Sequence, residues 1–600
     1  MFFSYNKAMS LRPRKERALS TFFFSLLVGA ATVLPYILIS SAFAAETVKA
    51  GLGSLGMIYL TPEAIGTDYK LLLMDKFGMV LGSPLGFLGW LPETVLAFVF
   101  GGLMVFRTAL SALTAYFFIR RFVRMPETAR LGAFLYAFSS GVIGVTVTGA
   151  MNNGAVMLPL ILLAAEKLMT ENRKMLLLIC IFLCSLINPY ALWSIGIFLI
   201  VYLIIRLTST DVKCTAAVIF RLIAEISLGV LSAAVMLVPL SVICVVNNLS
   251  YFEYVGLSAL VREGSVLEIL RAVFLPAESV QSPVALGETA AFGGLFGAYL
   301  PLISLSGVIA FCGAKKGSGF KRIIVASFVF LAVPAPNSLF SIVNPTALYS
   351  WFYIPALIFA LTSVMALEDR DISLSSGFKW SMVATVLLSA VILLYPSFTE
   401  NGITFGLYNG AISKAAFIRF TIYAGIAALG LIATMIAYKM SENRSHILFN
   451  TLFFATAIVS AVQMWLYAAT ENEYLSKRLF STENLTNADK VYCEGLDLGK
   501  LLFVSQFITI AAIGGVLIYV IFCIATHKKR AETGCEYPEG EALLKKWEDI
   551  ESEEDIEIPQ AEEFSLESIA ENLGNEYPVN NSEEFAGGFN IVTDISSKNS

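Results

Sequence analysis

The sequence predicts an all-α polytopic membrane protein, and three observations carry that reading. Of its 600 residues, 57% are hydrophobic and 14% charged, with a mean hydropathy of +0.73. A soluble domain carries roughly 25% charged residues. Runs such as Leu19–Ala44, Val95–Ile119 and Leu501–Ile524 each reach the roughly 20 apolar residues that cross a bilayer as a helix. Clusters of Lys and Arg recur between alternate runs, which assigns a side of the membrane to each turn.

Taken in order, Arg12, Arg14, Lys15 and Arg17 precede the first run, so residues 1–18 read as a cytoplasmic basic N-terminus. The same start imitates a secretory signal: a basic stretch, an apolar stretch, then Ala42-Phe43-Ala44. Its apolar run is long for a signal, and it is read as a retained helix. Arg120, Arg121 and Arg124 follow the second span, and Lys167, Arg173 and Lys174 the fourth. Arg206 and Lys213 follow the sixth, and Lys315, Lys316, Lys321 and Arg322 the eighth. Arg370 with Lys379, Lys439 with Arg444, and Lys528, Lys529 and Arg530 mark later turns on that side. The count is about fourteen spans within residues 19–530, with both termini cytoplasmic. Gly149–Leu168 and Met175–Leu207 read as short or paired helices.

On the other side, Met151-Asn152-Asn153 and Asn188-Pro189-Tyr190 are tight turns. Longer segments run over 45–93 and 247–293, with Ser397–Lys414 and Thr470–Lys500 further on. In the first two, apolar and charged residues fall at helical spacing, as in Val261, Val266, Leu267, Leu270 and Phe274. Amphipathic helices lying on the extracytoplasmic surface are expected there. Residues 531–600 hold 19 Asp and Glu against 3 Lys and Arg, while the rest of the chain holds 27 against 38. Such an acidic, aromatic-poor stretch reads as a disordered cytoplasmic tail.

Composition also excludes chemistries. Eight cysteines lie scattered without a Cys-x-x-Cys ladder, so no zinc site is indicated. With only His446 and His527, neither a histidine metal centre nor a Ser-His-Asp triad is available. No Gly-x-x-x-x-Gly-Lys loop supports ATP-driven chemistry, and no nucleic-acid partner is expected.

Several polar residues stand out against this apolar background. Asp68, in Gly66-Thr67-Asp68-Tyr69-Lys70, is a carboxylate at the outer leaflet that can take a proton from a hydroxyl. The residues alone favour a solvated acid or a helix N-cap before Tyr69–Met79. Glu63 and Glu46 are its substitutes. Arg107 interrupts the second span, where a charge costs roughly 2.5–3.5 kcal/mol on insertion scales. It either meets an anion in a watery cavity or pairs within the bundle. Arg221 and Glu225, at i and i+4, are expected to pair structurally. Arg262, Glu263, Glu268 and Arg271 form either a phosphate or glycan contact or a solvated face. Asn152, Asn153, Asn188 and Tyr190 offer amides and a ring that suit a sugar, and also suit turns.

The stretch Arg107–Leu207 resembles the YfhO family of bacterial membrane proteins. The resemblance rests on Tyr136-Ala137-Phe138-Ser139-Ser140-Gly141, Asn152, Leu158-Pro159-Leu160, Glu166-Lys167-Leu168 and Asn188-Pro189-Tyr190. It covers about a sixth of the chain. The resemblance implies a GT-C-like glycosyltransferase bundle in the bacterial plasma membrane. A polyprenyl-phosphate-linked sugar would be the donor, and an envelope polymer of the lipoteichoic or wall teichoic acid type the acceptor. It implies a catalytic acid in the first outside segment, here Asp68. Substrate contacts would come from Arg107, Tyr136, Asn152, Asn153, Asn188, Tyr190 and Arg262. The first outside segment has no Asp-Asp or Asp-Glu pair, so no metal ligand is assigned and no cofactor is implied, with a divalent metal left open. A transporter or lipid flippase is the alternative; it predicts internal repeats and a midplane site with broken helices.

Overall fold

The computed structural model describes residues 15–39, 58–60, 79–81, 93–147, 154–187, 189–209, 215–246, 265–276, 297–315, 318–333, 336, 339–340, 351–369, 371–394, 396–399, 402–405, 414–440, 446–479 and 498–532. The chain forms two units, Met1–Val520 and Ile521–Ser600. The account below concerns the first.

Helices dominate. In chain order they are α1 Lys15–Ile39, α2 Glu93–Ile119, α3 Pro126–Ala137, α4 Ser140–Val147, α5 Gly154–Glu171, α6 Leu176–Ile187 and α7 Pro189–Leu207. Then come α8 Ala216–Leu231, α9 Ala234–Val246, α10 Ser265–Phe274, α11 Ser306–Ala314, α12 Gly319–Ala332 and α13 Tyr353–Glu368. The last four are α14 Leu374–Leu394, α15 Lys414–Met440, α16 His446–Leu479 and α17 Leu498–Glu532. Two antiparallel strand pairs complete the described elements: β1 Ile58–Leu60 with β2 Met79–Leu81, and β3 Pro396–Thr399 with β4 Gly402–Phe405.

Membrane character follows from length and apolarity. Among the described residues four helical windows, Gly102–Ile119, Leu374–Leu394, Phe420–Met440 and Gly499–Ala525, are long and apolar enough to cross a bilayer. A fifth is added if α8 and α9, bent by 69° at their junction, form one broken span. Shorter apolar helices, among them Leu176–Ile187, Ala191–Leu207 and Tyr353–Glu368, fall below that length. Leu387, Leu394 and Leu429 stand more than 60% exposed on the long helices, as lipid-facing side chains do. Over residues 45–93 the described part ahead of α2 is the strand pair rather than the expected surface helix. Ile58-Tyr59-Leu60 is β-branched and aromatic, and Gly78 and Gly82 flank Met79–Leu81, a composition that favours strand over helix.

α13 is the hub. Fourteen of its sixteen residues are buried, and it packs against α3, α4, α5, α11 and α12. A helix apolar all round belongs inside such a bundle. Phe359 stacks on Phe328 of α12 with ring centres 5.2 Å apart. Around the hub, α2 packs against α1, α3 and α5, where Ala109, Ala112 and Ala115 are fully buried and let the helices approach closely.

The basic turns gather at one end. Arg121 reaches from the end of α2 to Glu171 at the end of α5, at 2.6 Å. Lys315 binds Asp369 at 2.8 Å, and Arg322 donates to Thr208 at 3.2 Å. The carboxylate of Glu368, closing α13, accepts the backbone N–H groups of Arg124 at 2.9 Å and Met125 at 2.6 Å. Pro126 opens α3 at N1, so the donors just before it have no helical acceptor, and a carboxylate there also complements the helix dipole.

A buried ion pair lies nearby. Glu166 of α5 and Arg206 of α7 are 0% and 1% exposed. Nε and Nη2 of Arg206 donate to the two Glu166 oxygens at 2.7 and 3.0 Å, and Tyr202 adds a third donor at 2.7 Å. The guanidinium also lies 5.3 Å from the centre of the Phe320 ring. The anticipated Arg221–Glu225 pair is corrected by the same accounting. Glu225 is fully buried and accepts from Met175 N at 2.7 Å, Leu178 N at 3.3 Å and Tyr519 Oη at 2.7 Å. It therefore faces the first turn of α6, whose free N–H groups attract a carboxylate more strongly than an i+4 neighbour does. Arg221 turns instead to the side-chain oxygen of Asn172.

Breaking one half of a buried pair leaves an uncompensated charge, at a cost of about 3–5 kcal/mol. Glu166→Met and Arg206→Met alone should each lower the thermal unfolding midpoint of the full-length protein in detergent. The double substitution should lose less than either. A double variant less stable than both singles would contradict this.

Candidate functional site

At the end of the bundle away from the basic turns, the segment Tyr136–Gly141 breaks one helix into two. Ser139 makes the break: its hydroxyl donates to Tyr136 O at 2.7 Å and accepts from Val142 N at 3.4 Å, closing α3 and opening α4. Ser140 N then donates to Tyr299 O at 3.1 Å, so the freed amide finds a partner across the bundle. The hydroxyl of Tyr136 donates to Ala155 O at 2.8 Å, with both residues buried. That phenol ties the end of α3 to the first turn of α5.

The break is pressed against two other segments. A Cβ on Gly141 would lie 2.7 Å from Gly297 O and 2.8 Å from Tyr353 N, at the start of α13. A Cβ on Gly297 would lie 2.5 Å from Ala272 O and 3.3 Å from the Ser140 side chain. These glycines admit backbone-to-backbone contact that no larger residue allows. Ala298 N completes the join by donating to Ala272 O at 2.8 Å. The end of α10, the Gly297–Tyr299 segment, the α3–α4 break and the start of α13 thus meet in one place. Beyond it the chain makes a turn over Pro301–Leu305 in which Leu302 and Ser304 hold φ of 64° and 49°. Positive φ at non-glycine residues is a strained conformation that survives only where packing enforces it. Both residues are buried.

Arg271 lies in this join. It belongs to the last turn of α10 and is 1% exposed, with Ile269, Ala272, Val273 and Leu275 buried beside it. The sequence reading left it between a ligand contact and a solvated face, and burial removes the solvated face. Its signal in the sequence is that it is the only charged residue within the apolar run Ile269–Pro276. Arg107, fourteen residues into α2, is another buried cation, 7% exposed. On the same helix the hydroxyls of Thr108, Ser111 and Thr114 return to carbonyls of their own turns, so they hold helix geometry rather than offer hydrogen bonds outward.

Of the other anticipated site residues, Asp68, Asn152, Asn153, Asn188 and Arg262 lie outside the described residues, as do Glu63 and Glu46. Tyr190 stands in the first turn of α7, with its side chain outside the description. Among the described residues no group of three or more His, Cys, Asp or Glu side chains gathers as a metal site would. Enclosed guanidinium groups in a low-dielectric bundle attract an anion, and a phosphate suits them best through its paired oxygens.

The family model described as "Bacterial membrane protein YfhO" matches residues 77–493. No curated protein and no solved structure matches.

The packing at the α3–α4 break yields a stability test. Gly141→Ala drives a methyl into the Gly297 carbonyl and the Tyr353 amide, and overpacking of this kind costs about 1–3 kcal/mol. Gly102→Ala, whose Cβ would meet nothing within 4 Å, should be neutral or slightly stabilising. Thermal unfolding of both variants in one detergent checks the difference; equal midpoints would remove the close approach.

Proposed function

This chain belongs to the YfhO family of bacterial membrane proteins, and on that premise we propose that it is a glycosyltransferase of GT-C-like architecture with about fourteen spans. It moves a sugar from a polyprenyl-phosphate donor to a cell-envelope acceptor of the lipoteichoic or wall teichoic acid type, on the outer face of the plasma membrane. The observation that carries this reading is Arg271: a guanidinium from the second long outside segment, enclosed at 1% exposure where α10 meets the α3–α4 break. An enclosed cation at a membrane-facing end suits a ligand whose charge is a single phosphate on a hydrocarbon chain.

The chemistry needs few groups. The acceptor hydroxyl attacks the anomeric carbon, and Asp68 takes its proton as general base. The bond from that carbon to the phosphate oxygen breaks, and the electron pair leaves with the polyprenyl phosphate. A single displacement inverts the anomeric configuration. The leaving group is stable as an anion, so no strong general acid is required; the cations of Arg271 and Arg107 offset its growing charge. Asn152, Asn153, Asn188 and Tyr190 supply amides and a ring for the sugar, with Arg262 as a further substrate contact. Tyr136 acts through its bond to Ala155, holding the first turn of α5 against the end of α3.

One observation favours the second reading, a transporter or lipid flippase: the 69° break between α8 and α9, since broken spans line many transport paths. Envelope glycan analysis separates the two. Deletion of the gene and Asp68→Asn should both abolish the same envelope sugar at unchanged protein level. Arg271→Gln should lower it by about 10²-fold, the usual loss for removing one donor that faces developing charge. If the deletion loses the sugar and Asp68→Asn keeps it, the base is Glu63 or Glu46. If no glycan changes and a labelled lipid redistributes across the membrane, transport replaces transfer.

A further inference from the structure

A recess opens on the lipid-facing side of the basic end, unconnected with the chemistry just described. α14 and α15 pack together, and between them lies a groove of about 370 Å³. Its walls are apolar, formed by Phe378, Met382 and Val383 on one helix and the Tyr438 ring on the other. The Phe378 and Tyr438 rings are tilted against each other with centres 6.0 Å apart.

Two ammonium groups bracket the groove, one from each helix. Lys379 stands five residues into α14, about 7 Å along its axis. Lys439 is the penultimate residue of α15. Both are exposed, and among the described residues neither has a carboxylate partner, whereas Lys315 and Arg121 at the same end are in ion pairs. Trp380, 59% exposed, follows Lys379, and an outward indole at this level marks the membrane–water boundary. The recess therefore combines paired positive charge at headgroup depth with an apolar trench running towards the hydrocarbon.

That combination specifies its occupant. A soluble phosphate would leave the trench unfilled, and a zwitterionic lipid brings a cation of its own against the two lysines. We propose that the groove binds an acidic phospholipid from the leaflet that the basic turns face, with its phosphate between Lys379 and Lys439 and an acyl chain along Phe378, Met382 and Val383. Bound there, the lipid bridges α14 and α15.

The test is native mass spectrometry of the full-length protein titrated with phosphatidylglycerol or with phosphatidylcholine. Retention of phosphatidylglycerol should be favoured about thirtyfold, in line with the attraction of two lysines to an anionic surface. Lys379→Gln with Lys439→Gln should reduce the preference to within twofold. Val383→Trp fills the groove with both lysines in place, and should abolish retention as well. Arg173→Gln, a charge lost elsewhere at the same end, should leave the preference unchanged. Equal retention of the two lipids, or full preference in either groove variant, would overturn the proposal. Displacement of phosphatidylglycerol by inorganic phosphate alone would overturn it too, because the site would then read only the anion. If the lysine double variant fails to fold, the Val383→Trp result decides.

Discussion

The architecture depends on one helix being held at both ends. α13 is buried along its whole length, so its position is set by packing rather than by lipid. At the basic end Glu368 accepts the amides of Arg124 and Met125 and so fixes where α3 begins. At the far end the backbone of Phe352 and Tyr353 abuts Gly141 and fixes where α3 gives way to α4. Inside a bilayer no water satisfies an open amide, so a helix can break only where another segment supplies partners. The Ser139 hydroxyl and the Tyr299 carbonyl do so here, accepting from the amides of Val142 and Ser140. The motif region is shaped by that requirement, and the join with Arg271 follows from it.

Charge obeys the same rule. Glu166, Glu225 and Glu368 each lie where a carboxylate would be costly, and each is satisfied by several donors: a guanidinium with a phenol, the start of α6, and the start of α3. These carboxylates tie turns distant in sequence into one basic end. They hold the scaffold.

Much of the fold was legible because membrane insertion leaves a coarse signal. Apolar runs and alternating basic turns mark helices and sides without any knowledge of contacts, and the meeting of Arg121 with Glu171 and of Lys315 with Asp369 follows from that alternation. What stayed hidden depends on partners far along the chain. Glu166 and Arg206 lie forty residues apart, and no local spacing pairs them. Arg221 and Glu225 have the spacing of a helix pair, yet the first turn of α6 competes for the carboxylate. The strand pair at Ile58–Leu60 is three residues long, too short for periodicity to tell from a helix face. For the candidate site, Arg107 was legible as a lone charge in an apolar span. Arg271 was weaker, because neighbouring charges in Arg262–Glu268 made the whole segment look like a solvated face. Tyr136 was found through its motif, though its hydroxyl serves the scaffold.

The proposed transferase rests on sugar leaving the lipid phosphate, and reconstitution reads that step directly. Purified full-length protein in liposomes would receive polyprenyl-phosphate glucose labelled in the sugar, together with a lipid-anchored glycerol-phosphate polymer. Transfer of label to the polymer with release of polyprenyl phosphate, absent in Asp68→Asn, is the predicted result. Label that stays on its lipid while the lipid crosses the bilayer would contradict transfer and identify a flippase.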